Sequence, residues 1–166
     1  GIKALSIHGR TRKQMYKGEA DWSLIGKVKA NPRINIPIFG NGDVSSPQKA
    51  KEMRDRFGVD GIMIGRGSIG NPWIFNEIKH FLRTGEELPK ADIETRVETC
   101  RLHFTKSLEW KGEVTGIHEM RRHYANYFKG LSHFKEYRMK LVTSYDVDEI
   151  HSILDEVKSR YKDLAA

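Results

Sequence analysis

Two glycine-rich turns are the stretches of this chain best suited to chemistry. Gly40-Asn41-Gly42-Asp43 and Gly65-Arg66-Gly67 begin 25 residues apart, and each directly follows a short apolar run. Glycine has no Cβ, so backbone N–H groups there can come close to an anion. A helix starting beyond such a turn adds partial positive charge, and an arginine adds a charge-assisted, two-pronged contact. Either turn alone reads as an ordinary tight turn. The pair at matched strand ends, one of them carrying Arg66, reads as a phosphate cup. The spacing fits neither the phosphate loop of nucleoside triphosphatases nor the dinucleotide-binding glycine fingerprint.

His8 stands at the carboxyl end of an earlier apolar run, in Ser6-Ile7-His8-Gly9-Arg10-Thr11-Arg12. In a (β/α)8 barrel that end of a strand faces the active-site mouth. A lone histidine is also commonly a structural hydrogen bonder, and both readings stand. The loop beyond it carries Arg10, Arg12, Lys13 and Lys17, with Tyr16 and Trp22 nearby. That mix suits RNA phosphates and stacked bases, and equally a solvated basic loop. The single cysteine, Cys100, falls on the apolar stripe of a helix and is expected in the core. No metal site is expected.

The elements that must position these residues follow a simple alternation. Strands are expected at Ile2–Ile7, Ile34–Phe39 and Gly61–Ile64, each leading through a polar turn into a helix. Such alternation means βα units and a parallel sheet. Asp21 is read as the cap of a helix Trp22–Ala30. Ser46-Pro47 opens Gln48–Phe57, and Asn71-Pro72 opens a helix to about Leu82. Gly85-Glu86-Glu87-Leu88-Pro89 reads as a linker. Beyond it three helical stripes follow: Ile93/Val97/Cys100/Phe104/Leu108, Ile117/Met120/Tyr124/Tyr127/Phe128/Leu131 and Val147/Ile150/Leu154/Val157/Tyr161. The chain opens directly on a strand, as expected of a fragment.

Charge is unevenly spread over the 166 residues, whose net charge is +7. Residues 1–84 hold 15 Lys and Arg against 7 Asp and Glu, whereas residues 85–166 hold 14 against 15. Residues 119–140 concentrate 6 basic side chains against 2 acidic ones, read here as one basic helical stretch. The balance suits a polyanionic partner. No apolar run reaches membrane-spanning length.

Taken in order, the motifs resemble a known family. His8-Gly9-Arg10-Thr11-Arg12 with Gln14, Tyr16, Gly18 and Ala20-Asp21-Trp22 looks like the sixth-strand motif of tRNA-dihydrouridine synthases. Gly40-Asn41-Gly42-Asp43 resembles the seventh. Gly61-Ile62-Met63-Ile64-Gly65-Arg66-Gly67 with Gly70-Asn71-Pro72-Trp73-Ile74-Phe75 resembles the eighth. Met120-Arg121-Arg122-His123-Tyr124 with Lys129-Gly130 is similar to the helical domain of the bacterial members, the subgroup related to the nitrogen-regulation protein class.

The resemblance implies the last three βα units of a (β/α)8 barrel over residues 1–84, followed by an all-α, tRNA-binding bundle over residues 85–166. It implies FMN as cofactor, NADPH as its reductant, tRNA as partner and a cytoplasmic setting. By it, His8, Asn41, Gly42, Asp43, Gly65 and Arg66 bind FMN, and Arg10, Arg12, Arg121, Arg122, Lys129 and Arg138 bind RNA. The flavin supplies hydride to the uracil ring, and a cysteine on an earlier loop supplies the proton. That loop, and one with a flavin-contacting lysine, are not in this sequence, so no catalytic residue is assigned and the chain alone is expected to be inactive. The rivals are a tRNA-binding module without catalysis and another FMN-dependent barrel oxidoreductase. The open sheet edges of such a fragment are expected to favour a homo-oligomer.

Overall fold

The computed structural model describes residues 1–163. The chain divides into two compact units, Gly1–Ser68 with Pro72–Leu88, and Ile69–Asn71 with the chain from Pro89 onward.

The first unit is built on three parallel strands, β1 (Leu5–His8), β2 (Ile38–Asn41) and β3 (Gly61–Met63), in that spatial order. Each is shorter than the apolar run that announces it. Pro37 has no N–H to give a ladder, so β2 starts after it; the Pro37 carbonyl still accepts from the Leu5 amide. Asp60 then pins the start of β2, its carboxylate accepting from the Ile38 amide at 2.8 Å and from Lys29 at 2.7 Å. The register sets His8 beside Asn41 and Asn41 beside Met63, so three strand ends meet at one edge.

Three helices accompany the sheet: α1 (Ser23–Lys29), α2 (Pro47–Phe57) and α3 (Ile74–Thr84). At α1 the Asp21 carboxylate accepts from the Ser23 amide at 2.8 Å and the Ser23 hydroxyl at 3.0 Å, so the helix begins one residue later than expected. At α2 the Ser46 hydroxyl accepts from the Lys49 amide, and Gly58, at φ +64°, closes the helix. The opening expected at Asn71-Pro72 is corrected: the first helical bond of α3 runs from the Glu77 amide to the Trp73 carbonyl. Trp22, Ile25, Ile38, Ala50, Met53, Ile74 and Ile78 form the core of this unit. The opposite sheet face keeps Phe39 and Met63 exposed.

The second unit holds α4 (Ile93–Lys111), α5 (Glu113–Tyr127), α6 (Lys135–Thr143) and α7 (Val147–Tyr161). Helix α4 packs on α5 and α7, and α6 packs on the same two. Val97, Phe104, Met120, Tyr124, Leu141, Ile150 and Leu154 are buried along the three expected stripes and α6. The single basic stretch expected over residues 119–140 is instead two helices. Gly130 (φ +91°) and His133 (φ +57°) turn the chain between them. Cys100 is fully buried, and burial pushes its thiol pKa up, so it stays protonated and inert.

Candidate functional site

A cleft of about 430 Å³ opens at the carboxyl ends of the three strands. His8 and Tyr16 line it from the first βα turn, Asn41–Ser45 from the second, and Met63 with Gly65–Gly67 from the third. Both glycine-rich turns and the expected histidine therefore share one cavity.

Asp43 organises it. Its backbone is left-handed, at φ +58°, which directs the carboxylate across the cleft floor. One carboxylate oxygen accepts from Arg10 at 2.7 Å and from Arg66 at 3.0 Å, and the other accepts from the Ala20 amide at 2.8 Å. The Arg10 hydrogen bond above all holds the Asp43 carboxyl below the usual carboxylate range. Arg66 is 54% exposed and its guanidinium lies over the Tyr16 ring, 4.6 Å from the ring centre. The His8 Nδ1 accepts from the Arg10 amide at 2.9 Å, which leaves Nε2 to carry the proton of the neutral ring.

Trp22 supports the turn from below. Its indole N–H donates to the Gly42 carbonyl at 3.1 Å, and its ring leaves no room beside Gly40, where a Cβ would sit 2.0 Å from it. Gly42, at φ +129°, adopts a backbone that favours glycine. Beside Gly65 a Cβ would meet nothing within 4 Å, so that backbone faces open space.

Two expectations for the basic loop are corrected here. The Arg10 side chain is only 4% exposed, and its guanidinium also donates to the carbonyls of Lys17 and Gly18. It holds the loop together instead of meeting RNA. Trp22 is buried under β2 and cannot stack on a base. Arg12 remains exposed, as does Tyr16. The roles of Tyr16 beneath Arg66 and of Trp22 beneath the turn were not read from sequence, because both depend on contacts between separate βα units.

The family model described as Dihydrouridine synthase (Dus) matches residues 1–163. The chain belongs to the dihydrouridine synthase family. A probable tRNA-dihydrouridine synthase of Rickettsia bellii is 40% identical over 138 residues, which is 83% of this chain and 42% of that protein. The tRNA-dihydrouridine synthase B of Pseudomonas putida is 41% identical over 140 residues, 84% of this chain and 41% of that protein. That of Shewanella oneidensis is 45% identical over 123 residues, 74% of this chain and 38% of that protein. The chain thus spans about two fifths of the length of the curated relatives it matches.

In this dihydrouridine synthase chain the four basic residues expected to meet RNA from the helical part are not equivalent. Arg121 is half-buried, with its guanidinium over the Tyr145 ring at 4.5 Å. Arg122 is exposed and within 3.9 Å of Glu119. Lys129 is exposed just past α5, and its carbonyl accepts from Arg96 at 2.8 Å. Arg138 is exposed on α6. No described helix is long and apolar enough to cross a membrane.

Proposed function

We propose that this chain contributes the phosphate end of an FMN site to a tRNA-dihydrouridine synthase that reduces the C5=C6 bond of a tRNA uridine, with NADPH as the reductant. The observation that carries the reading is the cleft where Asn41–Asp43, Gly65–Arg66 and His8 converge. FMN, when bound, supplies the hydride chemistry. Holding and orienting its phosphate end falls to residues of this chain.

Asn41, Gly42, Asp43, Gly65 and Arg66 would hold the phosphate, and His8 would lie toward the ring. The open backbone at Gly65 leaves space for an anion. The carboxylate of Asp43 is offset by both Arg10 and Arg66, so the cup carries a net positive charge. A guanidinium has five N–H donors, and Asp43 takes only one nitrogen of Arg66. The rest can serve an anion. His8 can donate from Nε2 into the cleft. The inert Cys100 takes no part.

On this reading residues 1–84 are the last three βα units of a (β/α)8 barrel, and residues 85–166 are a helical tRNA-binding domain. Arg122, Lys129 and Arg138 are its exposed cations for RNA phosphate, joined by Arg12 of the first βα turn, and the setting is cytoplasmic. Titration of FMN and of riboflavin, read by quenching of flavin fluorescence, tests the cup. FMN should bind at least about tenfold tighter, the worth of one charge-assisted contact. Equal affinity would remove the phosphate cup from the site.

A further inference from the structure

The carboxylate of Asp43 does two things that pull in different directions in space. It reaches forward to Arg66 at the cleft wall, and backward to Arg10 and the Ala20 amide at the base of the Thr11–Glu19 loop. Arg10 extends the same chain of contacts, because its guanidinium also donates to the carbonyls of Lys17 and Gly18. A second route joins the same two places. The Tyr16 ring, at the outer part of the loop, lies under the Arg66 guanidinium. The other hydrogen bonds of the loop are internal to it, between Thr11 and Gln14 and from the Lys17 amide to the Gln14 carbonyl. Its outer part is open: Met15 and Tyr16 are both 69% exposed, and Met15 is left-handed at φ +51°.

We propose that Arg10 and Asp43 form a clamp through which an anion held at Arg66 and the order of the basic Thr11–Glu19 loop reinforce one another. The proposal deepens the FMN reading and rests on it for the natural ligand. The coupling follows from sharing. Arg66 is half exposed and pays rotamer entropy to stay over Tyr16 and on Asp43. An anion in the cup fixes Arg66 on its free side, and the entropy is then already spent when Tyr16 and Asp43 take up their contacts. By linkage the effect is reciprocal: whatever orders the loop, including a nucleic acid held by Arg12, Lys13 or Lys17, tightens anion binding by the same factor. Asp43 is thus a positioning residue acting through Arg66, and Arg10 is a positioning residue acting through Asp43.

The test compares hydrogen–deuterium exchange of the full-length protein saturated with FMN and with riboflavin, which lacks the phosphate. Amides of residues 11–19 should exchange about fivefold slower with FMN, the lower end of ordinary coupling between sites. Arg10→Met should abolish that difference. Arg10→Lys should abolish most of it, since lysine can meet Asp43 but lacks the fork that reaches both carbonyls. Lys79→Met, at an exposed cation on α3, should leave it intact. Equal exchange with the two ligands, while FMN still binds tighter than riboflavin, overturns the clamp and leaves the FMN site standing. Equal binding of the two flavins overturns the FMN site and the clamp together. If Arg10→Met fails to fold, Arg10→Lys decides whether the effect runs through the clamp: a full FMN-dependent difference in that variant overturns it.

Discussion

Each unit turns an arginine inward, but the two surround it differently. In the first, Arg10 is turned inward and satisfied by one carboxylate and two carbonyls, so a charge has become part of the scaffold. In the second, Arg96 donates to the carbonyls of Tyr127 and Lys129 at the end of α5, while most other cations sit outside and pair along or between helices. Lys158 bridges Glu94 and Glu98, Arg101 meets Asp155, and Lys140 reaches Glu156. Exposed pairs of that kind contribute about 0–1 kcal/mol each. The helical unit therefore owes its stability chiefly to the apolar stripes, and its exposed, paired basic residues are free to be replaced. At the strand ends there is no such freedom, because core, glycines and charges meet at one turn.

The largest effects should come from breaking each unit separately. Phe104→Ala removes a fully buried ring from the centre of the helical unit and should cost about 4 kcal/mol. Exchange of amides in α4 and α5 should rise, with the cup residues 40–45 unaffected. Gly40→Ala should do the reverse. Its Cβ would lie 2.0 Å from the Trp22 ring, and overpacking of this kind costs about 3 kcal/mol. The cup should lose FMN, while α4 and α5 keep their protection. If Gly40→Ala also opens the helical unit, the independence of the two is refuted.

A smaller effect separates positioning from packing. Arg66→Met keeps the fold and removes the cup's exposed cation. FMN affinity should fall by about 2 kcal/mol, roughly thirtyfold, the worth of a charge-assisted contact. Riboflavin affinity should not change.

Acid should also distinguish the units. The Asp43 pKa is lowered in the fold, chiefly by Arg10. Its contribution is present above the unfolded carboxyl value of about 3.9 and is lost only as pH falls below it. His123 is different. Burial first, then His103 and Arg122, bring its pKa down from 6.5 to about 4, and its Nδ1 is buried without a partner. His103 is lowered in the same direction. Between pH 6.5 and about 4 the unfolded chain binds the His123 proton and the folded chain does not. Stability of the helical unit therefore falls as pH drops through that window. Amides of α4 and α5 should exchange faster at pH 5 than at pH 7, after correction for intrinsic rates, with the cup unchanged. A proton titration of His123 by NMR with an ordinary midpoint near 6.5 would rule this out.

How far the sequence reveals these features depends on their range. Ser46-Pro47 acts on backbone three residues away, and the two glycine turns follow their strands directly. Features of that range can be read locally. The apolar stripes of α4, α5 and α7 are equally visible from their period. What escaped was set by distant partners. Arg10 reads as a surface cation until Asp43, 33 residues on, is seen to claim it. Trp22 reads as the first residue of a helix beside the basic loop until Gly40 and Gly42 are seen to rest on it. The break between α5 and α6 was missed because Phe128, Leu131 and Phe134 prolong the apolar rhythm through a turn made by Gly130 and His133.

The smallest effect bears on the outward cations themselves. Arg138→Ala should leave stability within about 0.5 kcal/mol, since no buried contact depends on an exposed side chain on α6. If α6 faces tRNA phosphate, the same change should weaken tRNA binding uniformly and flatten the salt dependence of log K by about one charge. Arg10→Met supplies the contrast: it should lower stability of the first unit, because it strips a partner from Asp43 and leaves two carbonyls unmet. A salt slope unchanged by Arg138→Ala would take Arg138 out of the RNA surface and leave Arg12, Arg122 and Lys129 to account for it.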